Sequence, residues 1–531
     1  MRRLSLFLAT LLPAILISGC SGNTGTPLAN EPAGSSVPAV KSSTGMENAA
    51  RLFHFRHTPN HPPRHRHNVT GTDRARALAG GWTPVTNKAP WTNGADTEML
   101  MTDGTVMVLD YCTSQWYALT PDNTGSYING TWVKMPTMQS NYGPLYFASA
   151  VLPDGKLIVQ GGEYNFCNGA ETTLGAIFDP FAKTWTAVSP PTGWGQIGDA
   201  QSAVLSSGTY MLGNCCTSSQ AQLNESSMTW TIVGTGKHDA NSEEGWSLLR
   251  NGDLLAADVF SAPASELFNP STSMWSSAGT VPVNLTSGDE IGPETLRPNN
   301  TVWIPGANGL SAIYNATSLA WSTGPTFPVV NGKQVDTADA PSSLLTNGNV
   351  MVAASPGLYN APATFYLFNG TTLASIATPP NAPNDSSYNI RLIMLPTGQV
   401  LQTDDSADVE IYNGTHKIAK GTKPTITSVP MTLTHGNTYT VKGRKFNGVS
   451  QANMYGDDVQ EATNYPLVRI TNAQTGHVFY CRTHGHSYMG VGSNRPVSTS
   501  FDVPSGIETG ASSLVVVVNG VSSASVSVTV N

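Results

Sequence analysis

Residues 150–162 read AVLPDGKLIVQGG. A small apolar run enters Pro153-Asp154-Gly155, and a second one, Leu157-Ile158-Val159, leaves it. Asp-Gly between two such runs marks a tight hairpin, because glycine accepts the positive φ that strains other residues. Six further stretches repeat the pattern: MLMTDGTVMVL (99–109), AVLSSGTYML (203–212), SLLRNGDLLAA (247–257), TLRPNNTVWIP (295–305), SLLTNGNVMVA (343–353) and IMLPTGQVLQT (393–403). Gly104, Gly208, Gly252, Asn300, Gly348 and Gly398 stand where Gly155 stands.

These turns return about every 50 residues, and one hairpin per such period is the mark of kelch repeats, each forming one blade of a β-propeller. The sequence therefore predicts an all-β chain with a seven-bladed kelch-type β-propeller over residues 78–420. Trp132, Trp185, Trp230, Trp275 and Trp321 recur in the outer strand of successive units. The seventh unit has no such strand of its own. Trp82, in GGWTPV ahead of the first unit, is expected to supply it and close the ring, which leaves no open edge. After residue 420 the repeat stops. KPTITSVP, NTYTVKGRKF, YPLVRITN, GHVFYCRT, STSFDVPSG, SSLVVVVNG and ASVSVTV alternate apolar and polar residues between turns. They predict an immunoglobulin-like, early-set β-sandwich over residues 421–531.

The beginning of the chain carries an address. Arg2 and Arg3 precede an apolar run from Leu4 to Ile17, and Ile17-Ser18-Gly19-Cys20 has the form of a lipobox. Residues 1–19 are read as a lipoprotein signal peptide and Cys20 as the lipidated residue. Ser21 favours the outer membrane, by similarity to lipoproteins of diderm bacteria. Residues 20–77 read as a flexible tether, too poor in apolar groups to fold. Its Arg-rich tract holds His54, His57, His61, His65 and His67, a composition that suits metal scavenging, an anionic glycan or a plain spacer. The net charge of −8 argues against a nucleic-acid partner, and the expected form is a monomer. Export places the other cysteines where disulfides persist. Cys112, Cys167, Cys215 and Cys216 all follow the second strand of their units and are the disulfide candidates, whereas Cys481 falls in the sandwich.

A kelch propeller followed by such a sandwich resembles the galactose oxidase and glyoxal oxidase superfamily. The resemblance is carried by the repeats, by YFASAVLPDGKLIVQGG, by YNIRLIMLPTGQV and by MYGDDVQEATNYPLVRITN. It implies oxidation of primary alcohols or aldehydes by molecular oxygen, with release of hydrogen peroxide. The chemistry uses one copper ion and a tyrosyl radical cross-linked to a cysteine. Tyr146 matches the cross-linked tyrosine, Tyr388 the axial tyrosine and Tyr164 the shielding aromatic. The family's two histidine ligands match Asn389 and Gln460, and its cysteine matches Asp96. Amides are poor copper ligands, so the family's chemistry is not expected here.

A further pattern stands without the resemblance. Just ahead of the inner strands come Asp96, Tyr146, Asp199, Glu243-Glu244, Asp289-Glu290, Asp339 and Tyr388-Asn389. In a propeller these positions crowd one end of the axis. Asp96, Asp199, Glu244, Asp289, Glu290 and Asp339 are thus expected to line an acidic mouth that binds a carbohydrate or a cation such as calcium. The same acids could instead cap loops. His484 and His486, near Cys481, form a weaker metal candidate. Three functions follow: a non-catalytic binder of carbohydrate or another cell-envelope component, a copper-dependent oxidase with a rearranged site, and a protein-interaction scaffold.

Overall fold

A computed structural model describes residues 81–215, 217–414, 417–455 and 461–531. The signal peptide, Cys20, the tether, Cys216 and Gln460 lie outside the described residues. The chain is all-β. Two short 3-10 turns are the only helical elements among the described residues, and none is long and apolar enough to cross a membrane.

Each repeated hairpin opens a four-stranded antiparallel meander. The first runs Ala95–Leu100, Val106–Asp110, Trp116–Thr120, Thr131–Lys134, and its neighbours keep that order. The seventh takes three strands from its own sequence, Arg391–Met394, Val400–Thr403 and Glu410–Tyr412, and Trp82–Pro84 adds the fourth, with Trp82 opposite Tyr412. The expected closing strand is therefore in place. The first strands of neighbouring sheets lie side by side: Ala95–Leu100 touches both Ala148–Val151 and Arg391–Met394.

Three of the recurrent tryptophans, and Trp82, have a common use. Indole Nε1 of Trp132 donates to Asn87 O (3.0 Å), that of Trp185 to Pro136 O (3.0 Å), and that of Trp230 to Ser189 O (2.7 Å). Trp82, fully buried, donates likewise to Ala377 O (2.7 Å). Each indole thus reaches a carbonyl that follows the outer strand of the preceding sheet. Its ring packs against apolar neighbours while its N–H finds a partner.

Beyond residue 420 the strands form another sheet system, ordered Thr425–Ser428, Thr438–Arg444, Pro496–Asp502, Val478–His484, Leu467–Asn472, Gly510–Val518, Val526–Val530, Thr432–Leu433. It packs its own core around Val441, Phe446, Ile470, Cys481, Phe501 and Val516. The hairpin turns of the repeats meet this layer. Gly104 (φ +80°) lies so close that a Cβ there would sit 2.5 Å from the Tyr480 ring, so both conformation and contact demand glycine.

One segment breaks the separation. Asn453–Tyr455 leaves the C-terminal sheets and pairs antiparallel with Pro341–Leu344, the first strand of the sixth meander. Around it, Gln451 Oε1 accepts from Leu248 N (2.7 Å), Asn453 Oδ1 from Met394 N (3.0 Å), and Glu461 Oε1 from Glu98 N (3.3 Å). Four different sheets are thus touched by Gln451, Asn453–Tyr455 and Glu461.

Candidate functional site

In six sheets a residue one to six positions ahead of the first strand has a positive φ: Tyr146 (+51°), Glu243 (+58°), Asp289 (+69°), Asp339 (+45°) and the glycines Gly94 and Gly198. For residues with a Cβ it costs on the order of 1 kcal/mol each, and such strain clusters at functional sites.

Arg391 sits at the centre. It is 1% exposed, yet belongs to the apolar strand Arg391–Met394. Its Nη2 lies 3.5 Å from Asp96 Oδ1, and Nη1 donates to Tyr388 O (2.7 Å) and Ile390 O (3.2 Å). The guanidinium carbon is 4.1 Å from the Tyr455 ring centroid and 5.4 Å from that of Tyr146. Tyr455 OH also donates to Tyr388 O (2.7 Å). Three buried acids share this one cation. Burial pushes the carboxyls of Asp96, Glu98 and Glu461 up, the last to about 8, while Arg391 opposes the shift in each. Burial, with Tyr455 next, also raises the Tyr146 phenol well above its ordinary value, so it stays protonated.

Copper does not fit the described residues here. A guanidinium fixed by Asp96 and the Tyr388 carbonyl lies against Tyr146. Asn389, which the resemblance matches to an imidazole, donates from Nδ2 to Asp405 Oδ2 (3.4 Å), and its Oδ1 accepts from Ser386 N (3.2 Å). Asp96, which the resemblance matches to the cysteine, faces Arg391. None of the three groups of potential metal ligands among the described residues contains a histidine.

Around this centre stand two walls. On one, Cys112 and Cys167 form a disulfide (S–S 2.04 Å) between the first and second meanders, packed with Leu145, Tyr164, Tyr111 and Tyr146. Tyr164 meets Tyr146 edge-on at 6.1 Å. On the other, Glu243, Glu290 and Asp339 bring carboxylate oxygens within 4.8 Å of one another. Tyr359 OH donates to Glu290 Oε1, and its ring meets Tyr388 edge-on at 5.4 Å. Asp289 adjoins this trio, while Asp199 groups with Glu171 and Cys215.

Two expected members of the mouth are corrected. Asp96 and Glu244 are both fully buried and point into the protein: Asp96 to Arg391, Glu244 to Lys237, whose Nζ is 2.8 Å from Glu244 Oε1. Glu243, its neighbour, is the one that faces the other acids. The C-terminal histidines each have a separate partner. His484 Nε2 lies 3.1 Å from Asp502 Oδ1, and His486 Nδ1 lies 2.8 Å from Thr499 Oγ1. Burial holds His486 down at about 3, and Cys481 lies in the sheet core. Arg391, Tyr455, Tyr359, Asp405, Glu98 and Glu461 escaped the reading of the sequence. One of them carried a signal, a charge within an apolar strand: Arg391 in YNIRLIML.

No protein-family profile matches the sequence, and no curated protein matches it. Structural neighbours include a fungal alcohol oxidase of the AA5 family in complex with copper, at 14% identity and TM-score 0.48, covering 85% of this chain and 99% of that one. They also include virginiamycin B lyase from Staphylococcus aureus (8% identity, TM-score 0.45, 62% and 98% covered) and YCF48 bound to D1 peptide (13%, 0.42, 62% and 94%).

Proposed function

We propose that this is an exported, lipid-anchored protein whose seven-bladed kelch-type propeller, followed by an immunoglobulin-like sandwich, binds a cell-envelope carbohydrate without oxidising it. The position of Arg391 carries the reading. A permanent organic cation at the axis, paired with Asp96 and flanked by Tyr146 and Tyr455, leaves the two walls of the mouth to do the recognising. Tyr146, Tyr359 and Tyr388 offer ring faces for the apolar side of a sugar, and Glu243, Glu290 and Asp339 offer acceptors for its hydroxyls.

A glycan array probed with the wild type and with Asp199→Asn/Asp339→Asn tests this. Binding by the wild type that falls in the variant is expected; no bound glycan, or unchanged binding in the variant, overturns the carbohydrate reading. Copper loading is the second arm. One equivalent of copper with peroxide release from small alcohols or aldehydes would overturn the non-oxidative part.

A further inference from the structure

A separate group of acids is buried in the loops of the fourth meander. Asp239, Glu244 and Asp258 bring one carboxylate oxygen each within 4.8 Å of the others, and all are at most 2% exposed. Lys237 is the cation beside them, with Nζ 3.0 Å from Glu266 Oε2 as well as close to Glu244, and 4.7 Å from the Trp275 ring centroid. Hydrogen bonds serve most of these carboxylates. Glu266 accepts from His238 N and Asp239 N, Asp239 Oδ2 from Val259 N and Phe260 N, and Glu244 Oε1 from Gln201 Nε2 and Trp246 Nε1.

Asp258 is different. It is 2% exposed, and neither Oδ1 nor Oδ2 has a hydrogen-bond partner. Asp110, at the corresponding end of the second strand in the first meander, shows the satisfied case: its carboxylate accepts from Thr92 N (2.8 Å), Asn93 N (2.9 Å) and Gly94 N (3.1 Å). An ionised carboxylate taken out of water without a partner is strongly disfavoured, and a single ammonium cannot balance Asp239, Glu244, Asp258 and Glu266 together. Either a proton or a second cation must complete the group.

We infer that Asp239, Glu244 and Asp258 hold a divalent, oxygen-seeking cation of the calcium class. The donors are all carboxylate oxygens, which excludes the softer metals that prefer nitrogen or sulfur. They come from irregular loop positions, a geometry that calcium tolerates and the small, strictly octahedral magnesium ion does not. The site is distinct from the mouth, yet joined to it. Glu243 and Glu244 are consecutive, so an ion on Glu244 fixes the backbone from which Glu243 reaches Glu290 and Asp339.

Calorimetric titration of EDTA-treated protein with calcium chloride, paired with thermal melting in calcium or EDTA, tests the inference. The wild type is expected to bind calcium and to melt higher with it. Asp258→Asn keeps the shape and has no hydrogen bond to lose, so its melting point in EDTA should match or exceed that of the wild type. Its calcium affinity should fall about tenfold or more, because one of three charged ligands is gone. Asp339→Asn, in the mouth, should keep the calcium response. The inference is overturned by no calcium response in the wild type, the result expected if a proton alone completes the group. It is equally overturned by a full response in Asp258→Asn, or by loss of the response in Asp339→Asn.

Discussion

Arg391→Met keeps most of the apolar stem and removes the charge. Three losses follow from the geometry. Breaking the buried pair with Asp96 leaves an uncompensated carboxylate, which costs about 3–5 kcal/mol. The ring contact with Tyr455, at 4.1 Å, is worth up to about 2 kcal/mol when desolvated. The carbonyls of Tyr388 and Ile390 lose a charged donor. These contributions overlap and do not sum, so the expected loss is about 4 kcal/mol at pH 8. It should also depend on pH. Arg391 holds down the carboxyls of Asp96, Glu98 and Glu461, and without it all three rise further. Toward acid pH a growing share of these raised carboxyls is protonated and needs the cation less, so the cost should be smaller at pH 5 than at pH 8. Urea denaturation at both pH values, followed by tryptophan fluorescence, measures it. Asp96→Asn/Arg391→Met should recover part of the loss. A single variant within about 1 kcal/mol of the wild type at pH 8 would refute the reasoning, and so would a cost independent of pH.

The Cys112–Cys167 bridge closes a loop of 55 residues, for which the chain-entropy estimate is about 4 kcal/mol; Cys112→Ala/Cys167→Ala should lose a good part of that in urea, and a change below about 1 kcal/mol would contradict it. In EDTA, stability should fall as pH rises from about 4.5 to about 8. Burial raises the carboxyls of Glu461 and Glu244 to about 8 and those of Asp258 and Asp336 to about 7, so through that window the folded chain holds protons that the unfolded chain has released. Its stabilising share is complete below the unfolded values and lost through the folded ones. His486, held at about 3, acts in the other direction, weakening the fold as pH drops below about 6.5. The melting point should therefore peak in mildly acidic buffer, and a profile that is flat or rising between pH 6 and 8 would exclude this account.

What could be read from the sequence was local or repeated. The hairpins follow from Asp-Gly and Asn-Gly turns between apolar runs. The closing strand at Trp82 followed from counting outer strands, and the nearness of Cys112 to Cys167 from their shared place in consecutive units. Parity decided what could not be read. Glu243 and Glu244 are adjacent, and one residue of register separates the mouth from the interior; the positive φ at Glu243 that settles the choice has no signature in a pair of glutamates. Arg391 sits where the pattern of its strand calls for an apolar residue, and its partners lie far away along the chain, Asp96 in the first meander and Tyr455 beyond the last. Contacts that join distant parts of a chain leave no trace in local spacing.

The side-chain trio of Gln451, Asn453 and Glu461 works as an axle. Main-chain N–H groups of Leu248, Met394 and Glu98, each in the innermost strand of a different sheet, donate to it. Withdrawing it would leave those donors stranded, at about 1–3 kcal/mol apiece. The wheel and its hub are therefore thermodynamically one object: a chain cut after residue 420 would not be a smaller version of this protein but one whose innermost strands have lost their acceptors.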